Sequence, residues 1–192
     1  MHDHLVFLAR FLRRPWRVGS IAPSSKALAA LMTEDMGLEG ARTVVELGPG
    51  TGVFTRAICE RVAADALFMA VEIDPHLAAL LRPRFPRVRI VNDSAEHLDR
   101  HLAESGRTEA DAILSGLPWA SFPGGLQRTL LTAAGGALRP GGLFATFAYP
   151  HASWLPPGRG FRALLQESFA AVETTRVVWA NLPPAFVYRC RR

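Results

Sequence analysis

With 192 residues, 49% apolar and 20% charged, the chain is long enough to bury one α/β core and too apolar for an unstructured polypeptide. The formal net charge is +5, and Lys26 is the one lysine among 22 basic residues, so arginine carries the positive charge and suits phosphates or an anionic membrane. No apolar run reaches the roughly 20 residues that span a bilayer, and Arg10, Arg13 and Arg14 interrupt the uncharged core a signal peptide would need.

The first predicted element is an amphipathic helix over Asp3–Arg14. Leu5, Leu8, Ala9 and Leu12 form one stripe, with Arg10, Arg13 and Arg14 opposite, and Pro15 stops the helix. Such a stripe suits either a membrane interface or packing onto the following domain. From Thr43 onward short β-rich runs alternate with helical ones. Thr43–Leu47 reads as a buried strand, followed by a glycine turn and a helix over Phe54–Ala63. Leu67–Ile73 is a second strand, after which Asp74 caps a helix that Pro83 ends. Val88–Val91 and Asp111–Ser115 are the third and fourth strands, with a short helix over Ala95–Ala103 between them. A helix over Leu126–Leu138 stops at Arg139-Pro140-Gly141-Gly142, and Leu143–Tyr149 is the fifth strand. After a helix over Phe161–Phe169, the runs Val172–Ala180 and Ala185–Arg191 flank Asn181-Leu182-Pro183-Pro184 as an antiparallel pair. This order predicts a single-domain, Rossmann-like, mostly parallel α/β sheet with helices on both faces and ligands beyond the carboxyl ends of the strands.

Chemistry concentrates at those strand ends. Glu46-Leu47-Gly48-Pro49-Gly50-Thr51-Gly52 is a strand-to-helix turn whose glycines admit a ligand that a Cβ would exclude. Glu46 precedes the turn inside a strand, where a carboxylate needs a partner. Glu72 ends the second strand, where it can hold ribose hydroxyls, and Asp93 ends the third, where it can accept from an adenine amino group. At the end of the fourth strand, Ser115-Gly116-Leu117-Pro118-Trp119 offers open carbonyls and a hydroxyl to orient an amine. The ring face of Trp119 would favour the charge that develops on nitrogen. A turn with a buried tryptophan is the structural alternative. Cys59 and Cys190 fit no metal or redox spacing and are expected to be reduced thiols of a cytoplasmic protein. His97 and His101 stand four apart without a third ligand, so a solvated helix face is expected and no metal.

These motifs resemble those of class I S-adenosylmethionine-dependent methyltransferases. The resemblance implies that Gly48, Gly50, Thr51 and Gly52, with Glu46, lie at the amino-acid end of S-adenosyl-L-methionine. It implies that Glu72 and Ile73 lie at the ribose, that Asp93, Ser94 and Ala95 lie at the adenine, and that S-adenosyl-L-homocysteine is the product. Ser115 borders both cofactor and acceptor in this scheme. No strong catalytic base is evident. Phe11-Leu12-Arg13-Arg14-Pro15, the run Val18 to Ser25 and Asn181-Leu182-Pro183-Pro184 narrow the likeness to bacterial phospholipid N-methyltransferases. That likeness implies an amino-lipid substrate of the phosphatidylethanolamine kind and peripheral attachment at the inner face of the membrane. It also divides the chain into a cofactor-covering segment (1–25, Ser20 included) and a catalytic domain (26–192). Ribosomal RNA adenine dimethyltransferases share the glycine and x-x-Leu-Pro-aromatic elements, which leaves RNA as the alternative partner. A dinucleotide oxidoreductase is disfavoured, having no role for the hairpin, and a non-catalytic binding module is disfavoured by the intact glycines and carboxylates.

Overall fold

Parallel strands buried on both faces need helices above and below, and the alternation of the sequence supplies them. The computed structural model describes residues 24–192; the amphipathic segment Asp3–Arg14 and Ser20 lie outside the described residues. Strands β1 (Thr43–Leu47), β2 (Leu67–Val71), β3 (Arg89–Val91), β4 (Ala110–Ser115) and β5 (Leu138–Ala148) run parallel. With β6 (Ala171–Thr174) and β7 (Phe186–Arg191) they form one sheet in the order β3-β2-β1-β4-β5-β7-β6. Strand β7 is antiparallel to both of its neighbours. Helices α1 (Lys26–Thr33), α2 (Val53–Cys59) and α3 (Pro75–Arg84) cover one face. Helices α4 (Leu98–Glu104), α5 (Gly124–Ala137) and α7 (Pro156–Ser168) cover the other, and the short α6 (Pro150–Ser153) follows the carboxyl end of β5. Strand alternation sorts the side chains between the two cores. Val44, Leu114 and Ala145 pack under α1–α3, while Val45, Leu47, Ile113 and Phe144 pack under α4, α5 and α7.

The expected architecture is present, and several boundaries differ for physical reasons. The glycine turn is followed by a helix over Val53–Cys59 rather than Phe54–Ala63. Pro83 does not end α3; it sits in the last turn, where the carbonyl it leaves unpaired, that of Ala79, is on an exposed face. The stop comes at Phe85, whose extended φ of −131° is what the following Pro86 demands. Arg139-Pro140-Gly141-Gly142 does not separate helix from strand either. It interrupts β5 between the pairs Ala110↔Leu138 and Ala112↔Leu143, and its backbone is satisfied by Gly141 N–H to Arg192 O and Arg192 N–H to Gly142 O, each 3.0 Å. Helix α7 starts at Pro156, not Phe161, because proline is well suited to the first helical position. The predicted strand Val172–Ala180 pairs continuously only as Ala171–Thr174, with an isolated bridge Val178↔Ala185 further along the hairpin. Among the described residues, no helix is long and apolar enough to cross a membrane.

Candidate functional site

The glycine turn leaves β1 at the carboxyl edge. Gly48 N–H still donates to Val71 O (2.9 Å) and Gly116 N–H to Leu47 O (2.8 Å), so the loops after β1 and β4 continue the sheet's hydrogen bonding and lie almost in contact. A Cβ on Gly116 would stand 2.5 Å from the Gly48 carbonyl oxygen, and one on Gly48, at φ +68°, would stand 2.6 Å from Leu117 Cδ2. Both positions therefore exclude a side chain. Gly50 and Gly52 also hold positive φ. Gly50 has open space where a Cβ would be, whereas Gly52 lies against Leu81 of α3 and Phe85 just beyond it. Arg84 Nη1 donates to Thr51 O at 2.9 Å and fixes the outer side of the turn.

Alternation along β1 puts Glu46 on the same face as Val44, beneath the turn and toward α2. There its Oε2 accepts from Thr55 Oγ1 at 2.7 Å, while Oε1 has no partner among the described residues. Complete burial pushes its carboxyl up to about 8, with the Thr55 bond opposing and nearby Glu72 adding to the rise. The folded protein thus keeps a proton that the unfolded chain releases near 4.5. From there up to about pH 8 the native state binds more protons, and stability falls as pH rises. Glu46→Gln, which keeps an acceptor for Thr55, is expected to flatten this slope. Urea midpoints at about pH 5 and about pH 8 should differ less than in the parent; an unchanged difference would show that Glu46 is ionised in the fold.

Glu72, 2% exposed, is folded back onto the turn. Its Oε2 accepts from Gly50 N–H (3.0 Å) and its Oε1 from Asp74 N–H (2.9 Å). Burial raises its carboxyl despite these bonds. Asn92 Nδ2 donates to the carbonyls of Glu72 (2.8 Å) and Ile73 (3.1 Å), a support that sequence reasoning missed. Asp93 is placed differently from expectation. Its carboxylate meets Ser94 N–H (2.7 Å), His101 Nε2 (2.8 Å), His97 Nδ1 (3.2 Å) and the guanidinium of Arg100. Burial alone would raise the Asp93 carboxyl, but the bonds from Ser94, His101 and His97 outweigh it and hold it below its ordinary range. Both oxygens of Asp93 are thus engaged within its own loop and the following helix, rather than standing open as an acceptor. The expected solvated histidine face is likewise corrected: His101 is buried, and both histidines serve Asp93. Among the described residues no group of side chains suits a metal ion. The open polar group at this strand end is the Ala95 amide, which makes no hydrogen bond among the described residues.

The fourth-strand motif also departs from expectation. Alternation turns Ser115 to the face of Ile113, where its Oγ accepts from Trp119 Nε1 (3.0 Å) and Leu117 N–H (3.3 Å). Both lone pairs are taken, so the hydroxyl shapes the loop and is not an open acceptor. Trp119 is 2% exposed, stacked on Phe161 at 5.2 Å and edge-on to Phe144 at 6.1 Å. Its ring belongs to the core and presents no face to a substrate, because an indole of that area buries best among aromatic neighbours. The loop carbonyls are unequal. That of Ser115 accepts from Thr146 Oγ1, that of Leu117 from Trp119 N–H and that of Pro118 from Ser121 N–H. Gly116 O accepts no hydrogen bond among the described residues.

A cavity of about 140 Å³ lies between the two loops, lined by Ser24, Gly48, Pro49, Gly50, Thr51, Val53, Phe54, Gly116 and Phe147. It unites the predicted Gly48, Gly50, Thr51 and Gly116. It includes neither the buried Glu46, Ser115 and Trp119 nor Gly52, Glu72, Ile73, Asp93, Ser94, Ala95, Leu117 and Pro118. Phe54 and Phe147, with ring centroids 5.8 Å apart, were not anticipated. Phe147 is signalled only by its register, two positions beyond Ala145 on the α1–α3 face. The space where a Gly50 Cβ would stand is open, and two aromatic side chains, Phe54 and Phe147, are among the lining residues.

A family described as a methyltransferase domain matches residues 44–142. An ornithine lipid N-methyltransferase of Singulisphaera acidiphila is 36% identical over 194 residues, spanning 100% of this chain and 97% of its own. A ribosomal RNA small subunit methyltransferase A of Acidobacterium capsulatum is 38% identical over 99 residues, 50% of this chain and 33% of its own. Among solved structures, an O-methyltransferase of Bacillus cereus in complex with SAH superposes with a TM-score of 0.66 at 13% identity, over 99% of this chain and 90% of that one. An O-methyltransferase of tomaymycin synthesis from Streptomyces achromogenes, in complex with SAM, gives 0.68 at 17% identity, over 98% and 89%.

Proposed function

Since the chain belongs to the class I S-adenosylmethionine-dependent methyltransferases, we propose that it methylates the amino head group of a lipid at a membrane surface. The end-to-end likeness to an ornithine lipid N-methyltransferase carries this reading, whereas the likeness to the ribosomal RNA enzyme stops at half the chain. When bound, S-adenosylmethionine supplies an electrophilic methyl on a sulfonium. The chain does the positioning. The Gly48–Gly52 turn, clamped at Thr51 by Arg84, holds the amino-acid end. Glu72 has a second lone pair on each oxygen for sugar hydroxyls, and the Ala95 amide is available to a ring nitrogen. Gly116 O, the open carbonyl beside the turn, accepts from the incoming amine and aims its lone pair at the methyl carbon. Phe54 and Phe147 take the cation-stabilising part expected of Trp119. No lining side chain among the described residues is an acid or a base, so the amine delivers its proton to water.

The test is incubation with labelled S-adenosylmethionine and, separately, ornithine lipid, phosphatidylethanolamine and total RNA. Label is expected in one or both amino-lipids, with mass spectra showing whole-methyl increments on the head-group nitrogen. Label in RNA adenine with none in either lipid would replace the lipid reading by the RNA one.

A further inference from the structure

We infer that the carboxyl edge of the sheet carries a bilayer-docking rim, made of Trp154 and Leu155 ahead of α7 and of Trp179 and Leu182 at the hairpin tip. The inference rests on the lipid reading above and gives it an orientation. These four side chains are 80%, 56%, 78% and 77% exposed, and the other large exposed apolar residue among those described, Leu80, lies apart on α3. Single exposed leucines are ordinary, but two nearly bare tryptophans on one edge are not. The pairing Ala148↔Phe186 brings the two segments out at neighbouring strand ends, on the edge where Gly48 and Gly116 also lie. The hairpin tip is fixed. Buried Asn181 donates to Pro183 O (2.7 Å) and accepts from Ser25 N–H (2.8 Å), which leaves Trp179 and Leu182 on the outside.

Charge names the partner. Residues 150–162 and 175–185 contain no Asp or Glu, while exposed Arg159 and Arg162 on α7 form no ion pair among the described residues. Arg176 of the hairpin is paired with Glu34 (3.3 Å), but indole rings on segments that carry arginines and no carboxylate of their own match the head-group layer of an anionic bilayer. A bilayer seated on this edge would bring lipid amines to the mouth of the cavity at Gly116, without a lipid having to leave the membrane.

Flotation of the full chain with vesicles of phosphatidylglycerol and phosphatidylethanolamine tests this, comparing the parent with Trp154→Ala/Trp179→Ala and Leu155→Ser/Leu182→Ser. Each double variant is expected to keep the parent's circular dichroism and S-adenosylmethionine binding. Vesicle partitioning should fall about tenfold or more. Tryptophan fluorescence should be quenched by lipids brominated high on the acyl chain in the parent and much less in the double tryptophan variant. Methylation of a short-chain amino-lipid dispersed as monomers should be unchanged. Partitioning within twofold of the parent would overturn the rim. So would light scattering that shows a parent dimer made monomeric by these changes, which would give the patch to a second copy. If the parent methylates no amino-lipid in any form, the substrate reading falls, and flotation still decides the rim.

Discussion

Gly116→Ala is expected to lower kcat/KM for methyl transfer by about a hundredfold or more. The added Cβ would lie 2.5 Å from the Gly48 carbonyl oxygen. Neither side can yield cheaply. Gly48 is held by its bond to Val71 O and already touches Leu117, and Gly116 is held by its bond to Leu47 O. The loops must move apart by a sizeable fraction of an ångström, and the carbonyl that aims the amine moves away from the turn that holds the methyl donor. Stability should also fall, by about 1–3 kcal/mol. Gly124→Ala, where a Cβ meets nothing within 4 Å, is the control. A Gly116→Ala enzyme as active as this control would show that methyl transfer does not occur between the two loops.

Trp119→Ala is expected to cost about 3–5 kcal/mol of folding stability, enough to leave a marginal protein partly unfolded. The indole fills the space between Phe122, Phe144 and Phe161 and donates to Ser115 Oγ, so its removal opens a cavity and strips a buried hydroxyl of a donor. Trp119→Phe keeps the stack and loses the N–H, at about 1–2 kcal/mol. Thermal or urea unfolding measures both. The two roles of the ring separate in the activity of Trp119→Phe per folded molecule. A core tryptophan predicts a rate close to the parent's; a hundredfold loss in a well-folded variant would return the ring to the acceptor site.

The contrast between these two positions shows where the sequence is legible. Buried parallel strands are written as apolar, β-branched runs such as Val44-Val45 and Ala112-Ile113-Leu114, and glycine and proline mark their ends, so the sheet, its order of elements and the glycine turn could be read directly. The glycine turn at Gly48 was legible for the same reason, but the tight approach of Gly116 to it, and that of Gly158 to Ala152, was not. What could not be read is which polar groups are already spoken for. Asp93, Ser115 and Glu46 are the right residue types in the right places. Their partners lie elsewhere in the chain: His97, Arg100 and His101 for the first, Trp119 for the second and Thr55 for the third. Strand register could have warned of two of these, since Glu46 shares a face with Val44 and Ser115 with Ile113. The roles of Asn92 and Arg84, each donating to a backbone carbonyl of another segment, carry no one-dimensional signal.

The strand order has a consequence for biosynthesis. Among the described residues β6 pairs with β7 alone, yet β7 comes later in the sequence and lies between β6 and β5. While the ribosome is still releasing this region, β6 has nowhere to attach, and the flank of β5 from Leu143 to Ala148 stands unpaired as an apolar ribbon. That interval is when a nascent molecule is most open to sticking to its neighbours, and it closes only when Phe186–Arg191 slides into the gap.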